Sequence, residues 1–147
     1  MPNACFVDTN ILLYAIDPLA REKQNRARAW LNVLARHNLL VINPQVLNEY
    51  AYNVLRKMPR VGHEQLLADL ESMRTWCVAS VTADTAAQAV VITRRFRFSF
   101  YDAALLASAI SHGCDTFLSE DMSHQQRVGE LRIVDPFQSD FASVVGR

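Results

Sequence analysis

Four acidic residues stand where strands end or helices begin: Asp8 directly after the apolar run at positions 4–7, Glu49 early in the segment opened by Pro44, Asp102 at the head of a helical stripe, and Asp121 three residues past Leu118. Carboxylates brought together hold a hard divalent cation, and a cation so held supports Lewis-acid hydrolysis of phosphate esters. Each acid also has an ordinary explanation by itself: Asp8 as a helix cap, Glu49 as solvated surface charge, Asp102 as a first-turn charge favoured by the helix dipole, Asp121 as a turn residue. Asp102 is the most informative, because positions 102, 105, 106, 109 and 110 share one helical face and the others are Leu105, Leu106, Ala109 and Ile110. A carboxylate heading such a stripe faces the core and needs a compensating partner there. Glu49 is weaker evidence, since helical projection sets it with Asn53 and Arg56, away from the stripe of Leu47, Tyr50, Ala51 and Val54.

The elements that must position these acids follow from periodicity and punctuation. The run at 4–7 predicts a buried strand, followed by a short helix over 11–16 that Asp17-Pro18 stops. A helix is expected over 20–36, a strand over 38–42, and a helix from Pro44, well suited to a first turn, through Leu55. Further helices are expected over 63–74 and, headed by Thr82, for about fourteen residues, with a third strand over 77–81 between them. The segment 101–111 is again helical with Gly113 as its C-terminal cap, and strands are expected over 115–118 and 131–134. Short apolar strands separated by helices predict an α/β fold, a three-layer α/β/α sandwich with a central, mostly parallel sheet of about five strands. No linker or repeat interrupts the chain, so one domain over residues 1–147 is expected.

Parallel sheets of this kind bind ligands outside the carboxyl ends of their strands. The expected fold gathers at least Asp8, Asp102 and Asp121 near one sheet edge, where unpaired like charges repel strongly. A divalent cation resolves that repulsion, and oxygen ligands without Cys or His favour Mg²⁺ or Mn²⁺ over zinc.

Composition narrows the rest. Net charge is zero, fifteen cations against fifteen anions, so bulk charge carries no argument for nucleic acid. Arginines 94, 95 and 97 before Asp102, with Arg56, Lys57 and Arg60 after Glu49, could nonetheless form a basic rim for phosphate. A second basic stretch, Arg21, Lys23, Arg26 and Arg28, reads as a solvated helix face, and His124 as a loop residue. Phe96, Phe98, Phe100 and Tyr101 could stack bases, but core packing is the expectation for them. Cys5, Cys77 and Cys114 are scattered among apolar neighbours, which fits neither a disulfide framework nor a zinc site. With no leader-like start and no long apolar run, a cytoplasmic location with no membrane partner is expected.

Over nearly the whole chain the sequence resembles the PIN-domain ribonucleases, and among them the VapC-like toxins of bacterial and archaeal toxin–antitoxin pairs. The resemblance rests on Val7-Asp8-Thr9-Asn10, Asn48-Glu49, the run from Ser99 to Ala104 containing Asp102, and the run from Cys114 to Asp121. It implies that Asp8, Glu49, Asp102 and Asp121 are the catalytic acids and metal ligands, with Thr9, Asn10 and Ser119 supporting them and Glu120 a bystander. It also implies Mg²⁺ or Mn²⁺ as cofactor and hydrolysis of RNA phosphodiesters. Asp8 and Asp102 would be direct ligands; Glu49 and Asp121 would complete a second site or act through water. Partners implied on the same ground are an RNA substrate, a cognate antitoxin protein and a second copy in a homodimer.

Two other classes fit less well. A phosphate-receiving signalling domain or aspartyl phosphatase would place further acids beside Asp8, where Thr9 and Asn10 stand, and a receiver would need a Lys beyond Lys57. A catalytically silent PIN-like module for protein binding or RNA scaffolding would tolerate loss of an acid, and none of the four is missing.

Overall fold

The computed structural model describes residues 4–145. Among these residues five strands form one sheet in the order β2-β1-β3-β5-β4: β1 (Cys5–Val7), β2 (Leu40–Val41), β3 (Thr116–Leu118), β4 (Arg127–Val128) and β5 (Leu131–Val134). All neighbours pair in parallel except β4 and β5. Among the described residues, seven α-helices surround the sheet: α1 (Thr9–Tyr14), α2 (Arg21–Arg36), α3 (Pro44–Lys57), α4 (His63–Met73), α5 (Ala83–Phe96), α6 (Phe100–His112) and α7 (Ala142–Val145). This is the expected α/β sandwich.

β1 and β3 are buried along their whole length, as their unbroken apolar runs require of central parallel strands. Their register opposes Phe6 to Phe117, and the two rings stack 5.2 Å apart at 5°. Leaving β1, the chain crosses one way to reach β2; β3 flanks β1 on the other side. The gap beyond the carboxyl ends of β1 and β3 is therefore a topological switch point, the place where an open α/β sheet leaves a crevice.

Two elements differ from expectation. The segment 77–81 does not form a strand: Cys77 makes one parallel bridge to Ile42, and Val78 and Val81 remain 51% and 56% exposed. With no second neighbour to pair, the segment runs straight into α5, whose start Thr82 and Thr85 fix by a reciprocal capping box. β4 was not expected, because Gln125-Gln126-Arg127 lacks strand character. It forms as a hairpin arm, Gly129 at φ 62° turning the chain so that Val128 opposes Leu131. The sheet thus has five strands through one loss and one gain. Among the described residues, no helix is long and apolar enough to cross a membrane.

Candidate functional site

The parallel register that pairs Val7 with Leu118 sets Asp8 beside Ser119 one step further on. Asp8 is only 7% exposed, and its backbone N–H donates to the Leu118 carbonyl at 2.9 Å. As N-cap of α1 it accepts the Thr9 N–H on Oδ1 at 2.7 Å, while Oδ2 accepts the Ser119 hydroxyl at 2.8 Å. Ser119 Oγ in turn accepts the Asp121 N–H at 3.2 Å, so one hydroxyl orients Asp8 and bends the chain to bring in Asp121.

The first turn of α1 supplies the other two supports. Thr9 Oγ1 donates to Glu49 Oε1 of α3 at 3.1 Å, and Asn10 Nδ2 donates to Asp121 Oδ2 at 2.8 Å. Glu49 is half-buried, not solvated as helical projection alone allowed. Asp102 sits in the first turn of α6, capped by Ser99, whose hydroxyl accepts the Asp102 N–H at 3.2 Å; it too is half-buried. All four acids therefore gather at the switch point.

Their electrostatics are those of anions lacking a counter-charge. Burial pushes the Asp8 carboxyl up to about 7; the Ser119 and Thr9 hydrogen bonds pull it down, and the Asp102 and Glu49 carboxylates push it further up. Glu49 is raised by burial and by Asp102, against hydrogen bonds from Thr9 and Gln45. Asp102 is raised by burial and by Asp121, against the Ser99 bond. Ion pairs join Lys23 to Glu120, Arg26 to Asp140 and Arg74 to Glu71, and among the described residues none reaches these four acids.

The donor set suits Mg²⁺ or Mn²⁺, being entirely oxygen. Asn10 Oδ1, beside Asp121, is a buried acceptor with no hydrogen-bond donor, the kind of atom that a hydrated hard cation satisfies. Among the described residues, no three acidic, His or Cys side chains already stand in ligating geometry. The two observations are compatible: charges couple over distances well beyond the 2.0–2.6 Å of a metal–oxygen bond, and these carboxylates are engaged by Thr9, Ser119 and Asn10. Closing on an ion requires their side chains to shift.

Some neighbours fall outside the expected pattern. Gln45, which no sequence motif marks, lies one turn before Glu49 and bridges α3 to α6 by donating to the Tyr101 carbonyl at 3.1 Å. Its spacing from Glu49 was the available signal. The stretch from Arg21 to Arg28 is not simply a solvated face: Lys23 pairs with Glu120, Arg26 donates to the Pro136 and Ser139 carbonyls, and Arg28 to the Ala15 carbonyl. His124 accepts the Asp135 N–H at 3.0 Å and thereby braces the turn after β5.

A strand-end site of four carboxylates on a parallel sheet defines the class, and the sequence agrees with it: the PIN-domain family model matches residues 5–131, and the chain belongs to that family. No curated protein sequence gives a significant match. Among solved structures, a toxin–antitoxin complex from Klebsiella pneumoniae is similar, with TM-score 0.66 and 17% identity over 90% of this chain and 98% of that one. The VapBC2 complex of Rickettsia felis bound to a promoter DNA fragment gives 0.63 and 20% over 88% and 96%. The Mycobacterium tuberculosis toxin VapC20, described as cleaving the sarcin–ricin loop, gives 0.57 and 24% over 78% and 87%. At these identities the likeness is one of fold.

Proposed function

We propose that this chain, as one unit of 147 residues, is a divalent-metal-dependent endoribonuclease and the toxin of a cytoplasmic toxin–antitoxin pair. The observation that carries the reading is the gathering of Asp8, Glu49, Asp102 and Asp121 at the switch point, with burial and mutual repulsion raising three of them and, among the described residues, no ion pair to any of the four. Family membership and the fold shared with solved toxin–antitoxin complexes support it.

Mg²⁺ or Mn²⁺ held there would supply a Lewis acid that makes water nucleophilic near neutral pH and neutralises the departing oxygen of a phosphodiester. Asp8 and Asp102 are the direct ligands in this reading, with Glu49 and Asp121 completing a second position or acting through water. Ser119 fixes the Asp8 carboxylate, Thr9 fixes Glu49, and Asn10 fixes Asp121, so that each hydrogen bond sets the orientation in which its acid would meet an ion. A cognate antitoxin covering the acidic crevice and a homodimeric state complete the proposal.

The test is incubation of purified protein with a pool of single-stranded and structured RNA in Mg²⁺, in Mn²⁺ and in chelator, beside a folded Asp8→Asn variant. Cleavage that needs both the metal and Asp8 supports the reading; RNA left intact in both metals, with no metal bound, defeats it.

A further inference from the structure

Four aromatic residues surround the α5–α6 junction and divide into two pairs. Phe96 and Phe98 are half-buried and pack against the core, as expected. Phe100 and Tyr101 do not: they are 43% and 68% exposed, in the turn of α6 that carries Asp102. Their rings meet edge-to-face, 5.5 Å apart at 79°, an arrangement that occupies only one ring face of the pair and leaves flat π surface open.

The backbone beneath this pair is fixed from two sides. Ser99 caps the helix, and Gln45 of α3 holds the Tyr101 carbonyl, so the rings stand on α6, which carries Asp102, where it is tied to α3, which carries Glu49. Just upstream Arg94, Arg95 and Arg97 are all exposed and, among the described residues, form no ion pair. An open ring beside an acidic centre, with guanidinium groups nearby of which Arg95 lies over the Phe96 ring and none is ion-paired among the described residues, matches the two needs of a single strand: a stacking surface for bases and cations for phosphates. A protein-docking patch would instead be contiguous and apolar, whereas Arg97, Ser99 and Gln45 break up this one.

We propose that Tyr101, braced by Phe100, stacks on a nucleobase of single-stranded RNA and thereby positions the adjacent phosphate at Asp102, while the arginines upstream contact the backbone. The inference rests on the ribonuclease reading and deepens it. Tyr101 is a positioning residue, and its loss acts on substrate binding.

The experiment uses the full chain carrying Asp8→Asn, which prevents turnover, and single-stranded 12-mer RNAs with 2-aminopurine at successive positions. Stacking on Tyr101 quenches the probe at one position, and Tyr101→Ala abolishes that quenching and weakens binding by about 5- to 100-fold. Tyr101→Trp restores affinity and Tyr101→Leu does not, since Leu offers apolar area without a π face. An abasic residue at the quenched position removes most of the difference between Tyr101 and Tyr101→Ala. In the active protein Tyr101→Ala raises KM with little change in kcat. Unchanged RNA affinity in Tyr101→Ala overturns the proposal, as does full rescue by Leu. So does a Tyr101→Ala effect confined to self-association in sedimentation, which would mark a protein-contact surface. Metal-dependent cleavage that survives such a result leaves the ribonuclease reading standing; absence of cleavage by the wild-type protein removes that reading first.

Discussion

Glu120 and Asp121 are adjacent, yet the protein treats their charges in opposite ways. Glu120 is neutralised from within: Lys23 pairs with it, donates to the Tyr14 hydroxyl at 3.4 Å, and lies 4.9 and 5.2 Å from the Tyr14 and Phe137 ring centroids. Asp121 turns to the other side of the loop, where it receives one neutral amide from Asn10 and adds its field to Asp102. On one side of a single peptide unit the fold supplies a cation; on the other it assembles anions and, among the described residues, ion-pairs none of them. A folded chain tolerates the second arrangement at a cost to its own stability, which is why such places are candidates for ligand-dependent function. The difference separates structural acids from acids awaiting a partner.

The largest expected effect comes from the anion side. Asp8→Asn should reduce metal-dependent RNA cleavage by on the order of 10³-fold, the scale of losing one preorganised charge-stabilising group, read as initial rates on a labelled RNA. The same change at Glu120, Glu120→Gln, should leave cleavage within about fivefold of wild type, because an ion pair of this exposure is worth under about 1 kcal/mol. Equal losses in the two variants would erase the distinction between the neighbours.

Next in size are the residues that orient the acids. Ser119→Ala frees Asp8 from its hydroxyl and Asn10→Ala frees Asp121 from its amide. Each should weaken Mn²⁺ affinity by about 10- to 100-fold in calorimetric titration. Wild-type affinity in both variants would mean that the acids do not act through these supports.

Stability against pH gives a third, smaller handle. Asp8 titrates near 7 in the folded chain against an ordinary 3.8, so in the metal-free protein its contribution is fully present below pH 3.8 and is lost as pH rises through about 7. The metal-free midpoint should therefore fall between pH 5 and 8 by about 3–8 °C more in wild type than in Asp8→Asn. Saturating Mn²⁺ should reverse the trend in wild type, since ion binding requires the ionised carboxylates. Thermal melts at several pH values, with and without Mn²⁺, check both signs; parallel curves for the two proteins would remove the buried, uncompensated Asp8.

How far sequence reasoning reached follows the same divide between local and distant causes. Helix limits set by local chemistry were readable: Pro44 opens α3, Thr82 caps α5 and Gly113 closes α6 at φ 92°. Continuous apolar runs were readable as strands at β1, β2, β3 and β5, of which β2 is the edge strand and the other three have a partner on each side. At 77–81 the run was present but makes only one bridge, Cys77 to Ile42; at β4 no apolar run announces the strand, and pairing with β5 across the Gly129 turn forms it. Asp8 and Asp102 stood out because strand end and apolar stripe are local facts. The half-burial of Glu49, the bridge made by Gln45 and the exposure of Tyr101 depend on how α3 meets α1 and α6, which no spacing within one helix encodes.

The smallest expected effect lies on the neutralised side, and it tests what the Lys23 cluster is for. Lys23 is 41% exposed in its side chain, so the pair with Glu120 is screened by solvent and contributes under about 1 kcal/mol. Lys23→Met keeps an unbranched apolar stem against the Tyr14 and Phe137 rings while removing the charge. The expected result is a midpoint lowered by no more than about 3 °C and cleavage within about fivefold of wild type. A loss of Mn²⁺ affinity approaching that of Asn10→Ala would show that the pair instead anchors the Ser119–Asp121 segment, and that neutralising Glu120 is how the fold holds Asp121 towards Asp102.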